Sequence, residues 1–120
     1  MRYVSTRGEA PALGFADTMM TGLARDGGLY VPDAWPHFTP EAIRRMRGKS
    51  YPELAIELLT PFLNGEIRSA DFERIVRDAY ATFRHPAVCP LVQTDSNEFI
   101  LELFHGPTLA FKDVAMQLLA

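Results

Sequence analysis

The 120-residue chain reads as an α+β protein, mostly helical to about residue 85 and richer in strands after it. Three observations predict this. Between Thr39 and Phe83, apolar residues recur at three- and four-residue spacing, in stretches bounded by helix-capping and helix-stopping residues. Short apolar runs near residues 3, 30, 91 and 99 are each bordered by turn-forming residues and read as strands. Finally, His85, Pro86, Ala87, Val88, Cys89 and Pro90 form a proline-bracketed stretch where the composition changes. That stretch is a candidate boundary between a domain of residues 1–85 and the start of a second over 86–120.

Residues 3–6 form a short strand, followed by a loop broken by Gly8, Pro11 and Gly14. Phe15, Met19 and Leu23 stand at helical spacing and predict a helix over 15–24, with Met19 and Met20 as core filler. Residues 25–32 are a turn feeding a strand. Gly27 and Gly28 lack the spacing of a phosphate loop and read as turn glycines. Thr39 caps a helix with Pro40 in its first position, running to about Arg47. Ser50 and Glu53 fit a capping box opening a helix to about Leu63; Pro61 bends or ends it, and Asn64 and Gly65 stop it. Ser69 opens the clearest helix. Phe72, Ile75, Val76, Ala79, Tyr80 and Phe83 make one broad apolar stripe on it, which is a packing face. Residues 91–93 and 99–103 are strands of a hairpin, with Thr94, Asp95, Ser96 and Asn97 as its turn. Gly106, Pro107 and Thr108 make a further turn, and a helix begins near Lys112.

Hydrophobic residues make up 48% and charged residues 22%, a globular composition. Net charge is −3, and the cluster Arg44, Arg45, Arg47 and Lys49 reads as a solvated helix end. Without a basic stripe interleaved with aromatics, nucleic-acid binding is not expected. Cys89 is the single cysteine, so no disulfide forms within the chain; between Val88 and Pro90 it reads as an inert thiol in a reducing compartment. No membrane partner and no metal are expected, and the first residues lack the apolar core of a signal peptide, so a cytoplasmic location is expected.

The chemistry concentrates in one segment. Glu102, Leu103, Phe104, His105, Gly106, Pro107, Thr108, Leu109, Ala110, Phe111, Lys112 and Asp113 place a lysine after a Gly-Pro turn and before a helix start. Leu109, Ala110 and Phe111 precede it and Val114, Ala115 and Met116 follow Asp113, so the amine is expected to be partly dehydrated. A lysine held that way becomes nucleophilic and suits a Schiff base with an aldehyde. A lysine–aspartate pair is also common on solvent-facing helix starts; the apolar surroundings and the loop position favour chemistry here.

Residues 105–113 resemble, position for position, the cofactor-lysine motif of the threonine synthases. A second, separate match lies upstream. Ser5, Thr6, Arg7 and Gly8, the helix start at Phe15 and Ala16, and the run from Gly22 to Pro32 are similar to that family's N-terminal domain. The resemblance implies a fold-type II, tryptophan-synthase-like enzyme, of which residues 86–120 would begin the catalytic α/β domain. It implies conversion of O-phospho-L-homoserine and water to L-threonine and phosphate. Lys112 would hold pyridoxal 5′-phosphate as a Schiff base and then move protons. Asp113 either orients the lysine or caps the helix, with a structural role favoured. His105 either faces the pocket or supports the turn, Thr108 either bonds its own turn or lines the site, and Phe111 either packs or stacks on the cofactor, with packing favoured.

Gly14 departs from the serine or threonine expected before a helix, a minor structural loss. The family's phosphate-cradling loop and ring contacts are expected beyond Ala120. The 120 residues are therefore expected to be an inactive fragment whose uncovered hairpin edge favours self-association. Another fold-type II lyase is one alternative. A small helical interaction module without catalysis is the other.

Overall fold

The computed structural model describes all 120 residues, which form two compact units. One comprises Met1–Arg47 with Glu57–Ser69, and the other Gly48–Ile56 with Ala70–Ala120. The units interleave in sequence, and both flanks of the proline-bracketed stretch at 86–90 lie in the second.

In the first unit, β1 (Tyr3–Ser5) pairs antiparallel with β2 (Tyr30–Pro32), Tyr3 opposite Pro32 and Ser5 opposite Tyr30. On the other edge, Tyr3 exchanges two 2.9 Å backbone hydrogen bonds with Leu13. Buried Tyr3 donates its hydroxyl to Phe62 O at 2.8 Å and sets its ring 6.2 Å from that of Phe15. This cross-bracing fixes a two-stranded ribbon that would be marginal alone.

Helix α1 (Phe15–Thr21) is shorter than the sequence predicts. Gly22 turns to a φ of 71°, and Leu23 pairs with Leu29 as an isolated bridge instead of continuing the helix. The spacing of Phe15, Met19 and Leu23 is thus helical for two of its three members. Met19 and Met20 are not core filler: they are 49% and 85% exposed. The helix has no side-chain cap from Gly14; the Glu66 carboxylate supplies one, accepting from Phe15 N–H at 3.0 Å and Ala16 N–H at 2.9 Å. These two bonds hold the Glu66 carboxyl below the usual glutamate range, against the opposing effect of burial. A Cβ on residue 14 would lie 2.8 Å from Glu66 Oε1, so glycine leaves room for the borrowed cap.

The 25–28 turn is organised by Asp26. Its carboxylate accepts from the Ser5 hydroxyl at 2.7 Å, Gly28 N–H at 2.9 Å, and Glu9 and Ala10 N–H at 3.0 Å. Burial pushes this carboxyl up, but the four bonds outweigh it and hold it below the usual aspartate range. In α2 (Pro40–Arg45), Thr39 Oγ1 accepts from Ala42 N–H at 3.2 Å, the cap that the sequence predicts.

Helix α3 (Tyr51–Leu63) contributes residues to both units, and Asn64 at a φ of 51° ends it. Within the second unit, Glu53 reaches back to Ser50 N–H at 2.7 Å, the returning arm of the capping box. The serine hydroxyl also donates to that carboxylate, at 2.6 Å, rather than reaching forward to the backbone. Helix α4 (Ser69–Ala81) buries Phe72, Val76, Ala79 and Tyr80 along one face. Tyr51 and Tyr80 meet edge to face with ring centres 4.9 Å apart.

Strands β3 (Leu91–Asp95) and β4 (Glu98–Leu101) form the expected hairpin, in the register Leu91 opposite Leu101 and Gln93 opposite Phe99. Pairing extends to Asp95 and Glu98 through a bulge after Gln93, so the turn is tighter than the four residues predicted. Every residue of the hairpin is exposed. Helix α5 (Asp113–Leu119) follows. No helix is long and apolar enough to cross a membrane.

Candidate active site

The lysine segment lies wholly in the second unit. Its approach is anchored by backbone bonds: Glu102 N–H donates to Pro90 O at 3.0 Å and Arg84 N–H to His105 O at 2.9 Å. His105 Nε2 lies 2.6 Å from Glu102 Oε2, a part-buried pairing. Its ring sits 5.0 Å from that of His85 and 4.7 Å from Phe104. His105 is thus tied to the chain entering the turn.

The turn is closed by Leu109 N–H donating to Gly106 O at 3.2 Å. Leu109 takes a φ of 63°, a left-handed conformation that costs a residue with a Cβ roughly 1–2 kcal/mol. Two residues straddling it are tied together. Asp113 Oδ2 accepts from Thr108 N–H, and Asp113 Oδ1 from the Thr108 hydroxyl, both at 2.8 Å. Asp113 is only 3% exposed, and its bonding satisfies a carboxylate that would otherwise be costly to bury. Gly106 permits the approach: a Cβ there would fall 2.4 Å from Asp113 Cβ.

Lys112 stands immediately before α5 with φ −61° and ψ −25°. Its carbonyl accepts from Ala115 and Met116 N–H, the first bonds of the helix. Within these 120 residues Lys112 is exposed, where its apolar neighbours suggest a partly dehydrated amine. The reason is helical phase. Asp113, Val114, Gln117 and Leu118 form the covered side of α5, whereas Lys112, Ala115, Met116 and Leu119 fall on the exposed side. Leu109 at 54% and Phe111 at 66% exposure do not shield it either, and Phe111 is not the packed residue expected. No carboxylate pairs with Lys112, since Asp113 is committed to Thr108.

Behind the helix, the Tyr80 hydroxyl donates to Val114 O at 3.2 Å. Burial raises the pKa of Tyr80 and of Tyr51, the latter also through Tyr80 and Cys89. Cys89 is half-buried at this cluster. No group of three His, Cys, Asp or Glu residues is placed to hold a metal ion. Sequence reasoning named Thr108 and Asp113 singly and missed the bond between them; it also missed Glu102. The pattern of a Gly-Pro turn, a threonine and an aspartate five residues on was the available signal.

The small α+β scaffold thus ends a clamped loop on an exposed lysine. The comparisons with known proteins identify its family. The family model described as "Threonine synthase N terminus" matches residues 2–80. The chain is 57% identical to threonine synthase of Pseudomonas aeruginosa over 119 residues, covering 99% of this chain and 25% of that protein. Its structure superposes with a TM-score of 0.97 on a crystal structure titled as PLP-bound threonine synthase from Brucella melitensis. There the identity is 74%, over 99% of this chain and 26% of the other. Yeast threonine synthase gives a TM-score of 0.91 at 38% identity, over 98% of this chain and 25% of the other. The chain belongs to the threonine synthase family and spans about a quarter of the length of these relatives.

Proposed function

We propose that the protein performs its family's reaction, converting O-phospho-L-homoserine and water to L-threonine and phosphate. It would be a carbon–oxygen lyase of fold type II, dependent on pyridoxal 5′-phosphate. The observation that carries this is Lys112: unpaired, exposed, and held at the end of a clamped loop. An aldehyde cofactor needs an amine it can reach, and Lys112 provides one that no carboxylate of these residues engages, so the residue present fits the group. Support comes from the Brucella melitensis threonine synthase structure, which is described as PLP-bound.

When bound, the cofactor supplies an electron sink for carbanion chemistry. The chain's own part is to hold it through Lys112 Nζ and, once the substrate amine has taken over, to carry protons on that same nitrogen. Asp113 and Thr108 fix the backbone from which the amine extends; His105 and Glu102 fix the chain entering the turn. The phosphate and substrate contacts are proposed to come from outside these 120 residues, which would be inactive alone. The family match ends at residue 80, which supports a domain division near residue 85 in the assembled protein.

Phosphate release from O-phosphohomoserine by the intact gene product tests the reading. Lys112→Ala should lower kcat roughly a thousandfold or more. A Lys112→Ala protein with near-normal turnover would refute it.

A further inference from the structure

We propose that Asp113 is a positioning residue for Lys112, acting through Thr108. The proposal rests on the reading that Lys112 holds the cofactor. Between the two clamped residues the chain runs through Leu109, Ala110, Phe111 and Lys112, all exposed. Burial therefore does not hold this arc. Leu109 is in the left-handed region, a conformation that persists only where the surroundings impose it. Backbone bonds from Leu109 N–H to Gly106 O at 3.2 Å and from Asp113 N–H to Ala110 O at 3.0 Å shape the arc, and the pair of 2.8 Å bonds from Thr108 to the Asp113 carboxylate ties its start to the residue after Lys112. Gly106 packs against the same carboxylate so closely that no side chain fits between. One residue further on, Val114 O is held by the Tyr80 hydroxyl of α4. Lys112 thus stands directly before two anchored residues, with its own carbonyl already accepting from Ala115 and Met116 N–H. A carboxylate spent wholly on its own loop does not neutralise the lysine; it sets where the lysine's side chain begins.

The test uses the intact gene product loaded with pyridoxal phosphate. Thr108→Val removes the hydroxyl bond and keeps the backbone one, Thr108→Ser keeps both, and Asp113→Asn replaces the carboxylate with a neutral amide that has one acceptor oxygen in place of two. The readouts are the rate of cofactor attachment to Lys112, trapped by borohydride and mapped by mass, and the separate values of kcat and KM. Thr108→Val and Asp113→Asn should slow attachment and lower kcat by about tenfold or more, with KM little changed, because small misplacements of a reacting group are costly. Thr108→Ser should restore both. Thr108→Val with wild-type attachment and kcat overturns the proposal, as does a loss in Thr108→Val that Thr108→Ser shares. Should Asp113→Asn fail to fold, the threonine pair decides. Absence of a Lys112 adduct in the wild-type protein overturns the cofactor reading and the positioning role with it; a wild-type adduct with unaffected variants overturns the positioning role alone.

Discussion

Lys112 and Asp113 are adjacent in sequence and opposite in burial: the lysine is exposed, the aspartate 3% exposed. A helix turns about 100° per residue, so one step is enough to pass from its covered side to its open side. The carboxylate can then be used up inside the fold while the amine remains free. The open lysine and the clamped loop are two outcomes of one helical phase.

Gly106 is the narrowest point of this arrangement. Gly106→Ala would put a methyl 2.4 Å from Asp113 Cβ, where neither backbone nor a short side chain can yield easily. Overpacking of this kind costs typically 1–3 kcal/mol. Thermal denaturation should show a lowered Tm, and cofactor trapping at Lys112 should slow in parallel. A Gly106→Ala protein of wild-type stability would show that the loop is looser than described.

The borrowed cap on α1 makes a second, independent prediction. Glu66→Ala leaves Phe15 and Ala16 N–H without their acceptor and should lower Tm. Gly14 has φ −76° and ψ 176°, a conformation that suits a serine cap, so Gly14→Ser on the Glu66→Ala background should recover part of the loss. The charge also has a pH signature. The folded-state pKa of Glu66 lies below the ordinary 4.5, so its contribution is fully present above that value and disappears as pH falls through the folded pKa. The Tm gap between wild type and Glu66→Gln should be constant near neutrality and close below about pH 4.5. A gap independent of pH would mean that the carboxylate does not cap the helix as an anion.

Val76, 0% exposed on α4, tests the packing of the second unit. Val76→Ala removes two buried carbons and leaves a cavity, which should cost about 2 kcal/mol in denaturant unfolding. A cost under about 0.5 kcal/mol, the range of surface substitutions, would show that this face is not packed.

The helices whose signals are local were legible in the sequence. The Ser50–Glu53 box and Asn64 bound α3, and Ser69 opens α4. What escaped depends on distant or paired residues. The end of α1 at Gly22 reflects Leu23 pairing with Leu29, and its cap comes from Glu66, about 50 residues away in sequence. At the site, the motif located Lys112 and its loop, but hydropathy does not fix which side of α5 is covered. The amine was therefore expected to be half-buried, and Phe111 packed; both are exposed. Thr108 and Asp113 each stood out, yet only their 2.8 Å contacts reveal that they act as one unit.

The most direct measurement incubates the intact gene product with pyridoxal 5′-phosphate, reduces with borohydride, and locates the added mass by peptide mapping. A single phosphopyridoxyl adduct on Lys112 is the predicted result. An unmodified Lys112, or label scattered over Lys49 and other surface amines, would contradict the assignment.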